Sequence, residues 1–272
     1  MKPITGGSRA TVWLAAVQYL STCQDWEDYN LILEILDPMR RGADDRRIEA
    51  RLDGFLRAAG HFPLSTVAET IFPAGEYRRH GPKGVYETYP DEIYPSIKRL
   101  PELRWGTYAH RFVRRDGPTG PINPLKYCIE KICKQLAGKS VKTGCYELSL
   151  SEVGLDLPLY DPVSDRKHHI GGPCLSHVSL KITREKRLVM TALYRSHYYL
   201  QKALGNLLGL ARLQAFVCEQ TKLAPGPLIC MSTYATLERN SGSWTKADVT
   251  DLIQELAGDA VDGDRPAQVG EG

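Results

Sequence analysis

The sequence predicts an α/β fold of the α+β kind, and three observations carry that prediction. Period-two alternation over 146–151, 177–182 and 187–194 predicts strands, the last two joined as a hairpin through Glu185-Lys186. Apolar stripes at helical spacing predict helices over 44–59, 124–136 and 197–218. A chain of 272 residues with 42% hydrophobic content can bury one sizeable core, so residues 1–257 are read as a single domain.

In chain order, Thr11 to Leu20 fits either a strand or the first turns of a helix, because so short an apolar run has no decisive period. From Trp26 to Leu36, the stripe Leu31, Ile32, Ile35 and Leu36 predicts a helix that Asp37-Pro38 ends. The next helix, Asp44 to Ala59, turns Ile48, Leu52, Phe55 and Leu56 inward and stops at Gly60. Residues 72–120 hold Gly81-Pro82, Tyr89-Pro90, Tyr94-Pro95 and Gly117-Pro118, which predict turns and irregular, aromatic-rich ordered loops. Leu125, Cys128, Ile129, Ile132 and Leu136 line one face of the helix after Pro124. The hairpin carries Cys174 at its start and Arg195 at its finish. Leu228 to Thr236 reads as the last strand, and Thr245 to Leu256 as a helix opened by a Thr245/Asp248 capping box. Residues 258–272, rich in Gly, Asp, Pro and Gln, are expected to form a disordered tail.

Composition excludes several classes. A net charge of +3 gives no nucleic-acid face; the pairs Arg40-Arg41, Arg46-Arg47, Arg78-Arg79 and Arg114-Arg115 read as solvated surface, although any one could meet a phosphate. Seven cysteines, an odd number without a Cys-x-x-Cys pair or a secretory signal, fit a reducing cytoplasm. No apolar run approaches a membrane span, so no membrane partner is expected. His168-His169 is too weak a pattern for a metal site, and none is expected.

Cys174 is the candidate nucleophile. Gly171-Gly172-Pro173 gives it a rigid, exposed turn, and the hairpin brings Arg195 close enough to favour a thiolate. Cys23, Cys128, Cys133, Cys218 and Cys230 read instead as small core residues. No Gly-x-Ser-x-Gly or local Cys-His signature supports an acyl hydrolase.

The order Gly171-Gly172-Pro173-Cys174, a strand, Tyr194-Arg195-Ser196, then Leu204-Gly205 opening an apolar helix, resembles the thymidylate synthase and pyrimidine nucleotide hydroxymethylase family. Phe62-Pro63-Leu64 and Gly106-Thr107-Tyr108-Ala109 extend the resemblance, which covers residues 45–240 in islands. It implies a largely antiparallel sheet backed by helices, a homodimer formed through the sheets, and an enzyme that transfers one carbon, as methyl or hydroxymethyl, to carbon 5 of a pyrimidine nucleoside monophosphate. In that chemistry Cys174 adds to carbon 6, Arg195 and Ser196 anchor the phosphate, Tyr108 approaches the ring, and 5,10-methylenetetrahydrofolate supplies the carbon. Glu76 falls near the family's catalytic glutamate after a two-residue gap, with Glu69 the other choice.

The departures are as specific as the matches. The family's base-reading asparagine falls on Gly209, counted through an insertion at Gln201-Lys202-Ala203, and its aspartate beside the folate is Tyr198. Its Asp-x-His-x-Tyr ribose contact lies over Met231 to Thr236, where neither the acid nor the histidine survives and Tyr234 is the substrate-binding candidate. The arginine pair that a partner subunit contributes would fall near Gly144-Cys145-Tyr146 and is missing. These losses make a catalytically altered, nucleotide-binding sensor or scaffold the alternative reading.

Overall fold

A computed structural model describes residues 2–100, 106–117, 120–138, 144, 146–150, 173–258 and 268–269. Its centre is a sheet whose strands lie in the order β10 (Gln268–Val269), β1 (Lys2–Gly6), β2 (Glu27–Ile35), β9 (Ala224–Thr236), β7 (Arg187–Tyr194), β6 (Leu175–Ile182) and β5 (Glu147–Ser149), with β8 (His197–Tyr198) alongside β9. Strand β1 (Lys2–Gly6) leads through helix α1 (Arg9–Thr22) into β2 (Glu27–Ile35), and β1 and β2 pair in parallel. Ser8 caps α1 by accepting the Thr11 amide at 3.3 Å. The open stretch Thr11 to Leu20 is helix, and the helix expected from Trp26 to Leu36 is instead the strand β2. The residues at 31, 32, 35 and 36 fit either period. What decides is that β2 is hydrogen-bonded on both sides, to β1 and antiparallel to β9, so that Leu31, Leu33 and Ile35 alternate fully into the core.

Helix α2 (Ala43–Ala58) buries Ile48, Leu52 and Leu56, and the Asp45 carboxylate closes its first turn on the Gly42 amide at 2.7 Å. Asp53 of α2 then accepts the Leu64 amide at 2.7 Å, which ties down the start of α3 (Leu64–Glu69). The described residues of 74–113 are largely helical and not irregular: α4 (Ala74–His80), a π-helical segment at Gly84–Ile93 that holds Pro90, α5 (Tyr94–Ile97) and α6 (Tyr108–Val113). The wider π-helix accommodates a proline that an α-helix interior resists, so local breaker signals overstated the irregularity.

A short hairpin, β3 (Arg115–Gly117) with β4 (Gly120–Ile122), precedes α7 (Pro124–Ala137), which Asn123 caps at the Lys126 amide, 2.9 Å. Strands β5 (Glu147–Ser149), β6 (Leu175–Ile182) and β7 (Arg187–Tyr194) form an antiparallel meander, turned between β6 and β7 at Lys186 with φ 57°. After β8 (His197–Tyr198), residues Tyr199–Ala203 are π-helical and run into α8 (Leu204–Thr221). The chain returns as the long strand β9 (Ala224–Thr236), parallel to β7, and continues into α9 (Lys246–Gly258). Thr245 and Asp248 form the expected reciprocal cap on α9, at 2.7 and 3.4 Å. Of the residues expected to be a disordered tail, Gln268–Val269 form β10, antiparallel to β1.

The sheet is mixed, not largely antiparallel. Two strand–helix–strand units, β1-α1-β2 and β7-α8-β9, account for the parallel pairs, because a parallel partner can be reached only by a crossover. α1 and α8 touch each other, so they share one face of the sheet. Between them and the strands lies the core: Ile4, Trp13, Leu33, Met190, Leu207 and Leu228 are fully buried. On the opposite face Ile32, Val189, Leu193, Ile229 and Met231 are half-buried. No described helix is long and apolar enough to cross a membrane.

Close approach of α3 to α8 depends on two glycines. A Cβ at Gly205 would stand 2.6 Å from Val67 Cβ, and one at Gly209 would stand 2.8 Å from the Ala68 carbonyl oxygen and from Ile71 Cβ. Gly209→Asn should therefore destabilise the protein by about 1–3 kcal/mol, the usual cost of overpacking. A urea midpoint that falls at unchanged slope is the expected result.

Candidate functional site

Cys174 leads into β6 immediately after Pro173, half-buried against the core. Two groups hold its backbone. The Tyr108 hydroxyl oxygen accepts the Cys174 amide at 3.0 Å and the Leu175 amide at 3.2 Å, and the Arg195 amide donates to the Cys174 carbonyl at 2.9 Å. The Arg195 guanidinium is turned back over the same turn, Nε donating to the Pro173 carbonyl at 3.0 Å. The hairpin thus brings Cys174, Arg195 and Tyr108 together, with Ser196 half-buried next along the chain.

Local sequence explains why Tyr108 arrives there. Gly106 has φ +93°, and a Cβ on it would lie 2.6 Å from the Tyr94 hydroxyl, so only glycine fits. Thr107 then caps α6 through the His110 amide at 3.2 Å while sharing a hydrogen bond with the Tyr89 hydroxyl at 2.7 Å. Tyr108 is the first residue of that helix, and its buried phenol is pushed up to about 12, first by burial and then by the neighbouring Cys174. It keeps its proton at neutral pH and so remains a donor beside the thiol. Burial also raises the Cys174 thiol above its ordinary value, and Arg195 opposes that shift. Burial has the larger effect, so Arg195 only partly offsets the cost of a thiolate.

Behind the cysteine lies a buried polar group that sequence reading missed. His197 is stacked on Tyr194 at 4.0 Å, its Nδ1 3.0 Å from Ser232 Oγ and its Nε2 3.0 Å from Asn206 Nδ2. Tyr199 joins through Ser232 at 3.2 Å, and its carbonyl accepts the Trp13 indole N–H at 2.7 Å. The Tyr194 hydroxyl is fully buried with no hydrogen-bond partner among the described residues, and Tyr108, Cys230 and Cys174 lie in its electrostatic neighbourhood. Burial lowers His197 to about 3, so the ring is neutral and serves as a hydrogen-bonding wedge. A signal for Asn206 did exist. The three residues treated as an insertion are the end of the π-helical segment, and counting straight through them moves the family's amide position from Gly209 to Asn206.

The other sequence candidates stand apart from this cluster. Glu76 is buried but pairs with Arg79 and His80 on its own helix, and Glu69 pairs with Arg212 at 3.4 Å. No described contact brings either carboxylate to Cys174. Gly209 sits in the α3–α8 contact, and Tyr234 packs against Tyr29 on β2, ring centroids 5.7 Å apart. Tyr198 is 48% exposed. Gly171, Gly172, His168, His169 and Cys145 lie outside the described residues. Among the described residues no cluster of His, Cys, Asp and Glu could hold a metal ion.

Two measurements test these electrostatics. Arg195→Ala removes the charge that lowers the Cys174 thiol, so the pH midpoint of Cys174 alkylation, followed by peptide mass spectrometry with exposed Cys133 as reference, should move upward. For His197 the unfolded chain takes up a proton below about 6.5 that the folded chain refuses until about 3. Its stabilising contribution is complete above 6.5 and is lost as pH falls, at about 1.4 kcal/mol per pH unit. Denaturant titrations between pH 4 and 6 should show this slope, and His197→Gln should reduce it. No protein-family model matches the chain and no curated protein matches it, so the geometry of Cys174, Tyr108 and Arg195 is the ground on which its function is inferred.

Proposed function

We propose that this protein is an enzyme that activates carbon 5 of a pyrimidine nucleoside monophosphate for one-carbon transfer through a covalent bond from Cys174. The observation that carries the reading is the junction of three groups at one turn: Tyr108 and Arg195 both hydrogen-bond the backbone of Cys174. The Cys174 sulfur, once deprotonated, adds to carbon 6, and the electron pair of the 5,6 double bond moves toward the carbon 4 position, which makes carbon 5 nucleophilic. Arg195 has two roles, favouring the thiolate and offering its guanidinium to the phosphate with Ser196 beside it. Tyr108, protonated at neutral pH, is a donor beside the thiol. Asn206, rather than Gly209, is the amide available on α8 to orient a base, held through His197.

The carbon donor implied by the family resemblance, 5,10-methylenetetrahydrofolate, is poorly matched by these residues. An exposed tyrosine, Tyr198, stands where a carboxylate meets the folate in the family. The C-terminal residues Gln268–Val269 add to β1, at the edge of the sheet opposite β5 and β6, instead of closing over the cysteine. The proposed mechanism therefore stops at the carbon 5 nucleophile. A second reading, a nucleotide-binding homologue without chemistry, is favoured by the raised Cys174 thiol and by the engagement of Glu76 with Arg79 and His80.

Exchange of the carbon 5 hydrogen with solvent separates the two, since thiolate addition labilises it without any carbon donor. Incubation with uridine and cytidine mono- and deoxymononucleotides in deuterium oxide should show exchange by NMR in one of them, abolished in Cys174→Ser. Binding without exchange in all four would favour the sensor.

The homodimer is proposed on the same footing. Pro3, Ile32, Met231, Leu193 and His177 lie side by side across neighbouring strands on the sheet face away from the helices, a lane suited to a second copy. Met231→Glu should then give a monomer by light scattering, while a dimer that persists would place the interface elsewhere.

A further inference from the structure

A cavity of about 400 Å³ lies between α1, α2, α3 and α8, on the helical side of the molecule. Four guanidiniums line it, those of Arg9, Arg41, Arg46 and Arg212, against two carboxylates, Glu49 and Asp53. Both carboxylates have partners, although Glu49 Oε1 is buried with no hydrogen-bond partner among the described residues. Asp53 accepts the Leu64 amide and Arg57, each at 2.7 Å, and Glu49 holds Arg41 at 2.7 Å and lies 3.8 Å from Arg9. The lining has two more arginines than carboxylates, and Glu69, just outside it, lies 3.4 Å from Arg212.

Arg9 is the most informative of the four. Its side chain is only 7% exposed, one terminal nitrogen donates to the Pro38 carbonyl, and Nε is buried with no hydrogen-bond partner. Burial weighs most against its protonated form; Glu49 and Asp45 oppose that, and the charges of Arg41 and Arg212 add to it to a smaller extent. A buried guanidinium with a spare donor is costly unless an acceptor completes it, and Arg41 and Arg212 add like charge nearby. Met39, Leu208 and Ala211 supply an apolar wall beside this charge. The volume falls in the range of small-molecule sites.

We propose that this cavity binds an organic phosphate, its phosphoryl oxygens held by Arg9, Arg41 and Arg212 and its carbon body against Met39 and Leu208. Guanidiniums suit phosphoryl groups because their paired N–H donors match two oxygens at once. This second site does not depend on the chemistry proposed for Cys174, and no described contact joins its residues to Cys174, Tyr108 or Arg195.

Calorimetry at low salt with adenosine diphosphate and with inorganic pyrophosphate tests it. Both should bind, more weakly as salt rises, with adenosine diphosphate the tighter because of the apolar wall. Arg41→Gln and Arg212→Gln, at positions open enough to tolerate the change, should each weaken both ligands about tenfold, the scale of one charge-assisted contact. Cys174→Ser and Arg195→Ala should leave both affinities intact, which separates this site from the proposed nucleotide site. Equal affinity for the two ligands would overturn the assignment of the carbon body to the wall. No binding of either, full affinity in the Arg41→Gln/Arg212→Gln double variant, or loss of affinity in Arg195→Ala would overturn the site itself.

Discussion

Hydrogen bonding of β9 on both sides is the constraint from which the rest of this structure follows. Across Ala224–Thr236 the strand pairs antiparallel with β2 and parallel with β7 and β8, so the N-terminal and C-terminal halves of the chain meet on it. Leu228 and Cys230 enter the core from β9, and Ser232, two residues on, receives His197. Thr233 Oγ1 donates to the Arg195 carbonyl at 2.9 Å, which fixes the end of β7 where the candidate anchor emerges. A strand so placed sets the register of its neighbours, because a one-residue slip would send every core side chain to the wrong face.

The candidate site is therefore a consequence of sheet registration rather than of a loop. Cys174 and Arg195 face each other because β6 and β7 are antiparallel and begin and end at the same edge. Tyr108 is delivered from the other side by a short capped helix whose entry requires Gly106. Fixed hydrogen bonds at the cysteine hold its backbone in one place, as a nucleophile requires. The cost is burial, which disfavours the thiolate more than Arg195 favours it. The proposed chemistry would require the bound substrate to help the sulfur lose its proton.

The two clusters of buried polar groups differ in kind. Around His197 nearly every donor and acceptor has found another protein atom, and the neutral ring is stabilised by stacking and two hydrogen bonds. Around Arg9 four arginines face two carboxylates in the cavity lining, and Arg9 Nε has no hydrogen-bond partner among the described residues. The first arrangement rigidifies the floor behind Cys174. The second has the unfinished character of a binding site.

Local signals in the sequence determined much of this. The β6–β7 hairpin, the helices over α2 and α7, the Thr245/Asp248 cap and the pairing of Cys174 with Arg195 depend on residues near one another in the chain or on one turn, so periodicity and turn chemistry suffice to read them. Tertiary structure alone decided the rest. Leu31, Ile32, Ile35 and Leu36 suit helix and strand equally until β1 and β9 claim their backbone groups on both sides. Gly209 has no side chain to declare its role, and only the approach of α3 assigns it to packing. Pro90 signals a break by itself, and the π-helix around it absorbs that signal. The return of Gln268–Val269 to β1 and the convergence of Arg9, Arg41 and Arg212 depend on contacts between parts of the chain far apart in sequence. Contacts of that range are set by the balance of packing over the whole chain, and no window of sequence contains it.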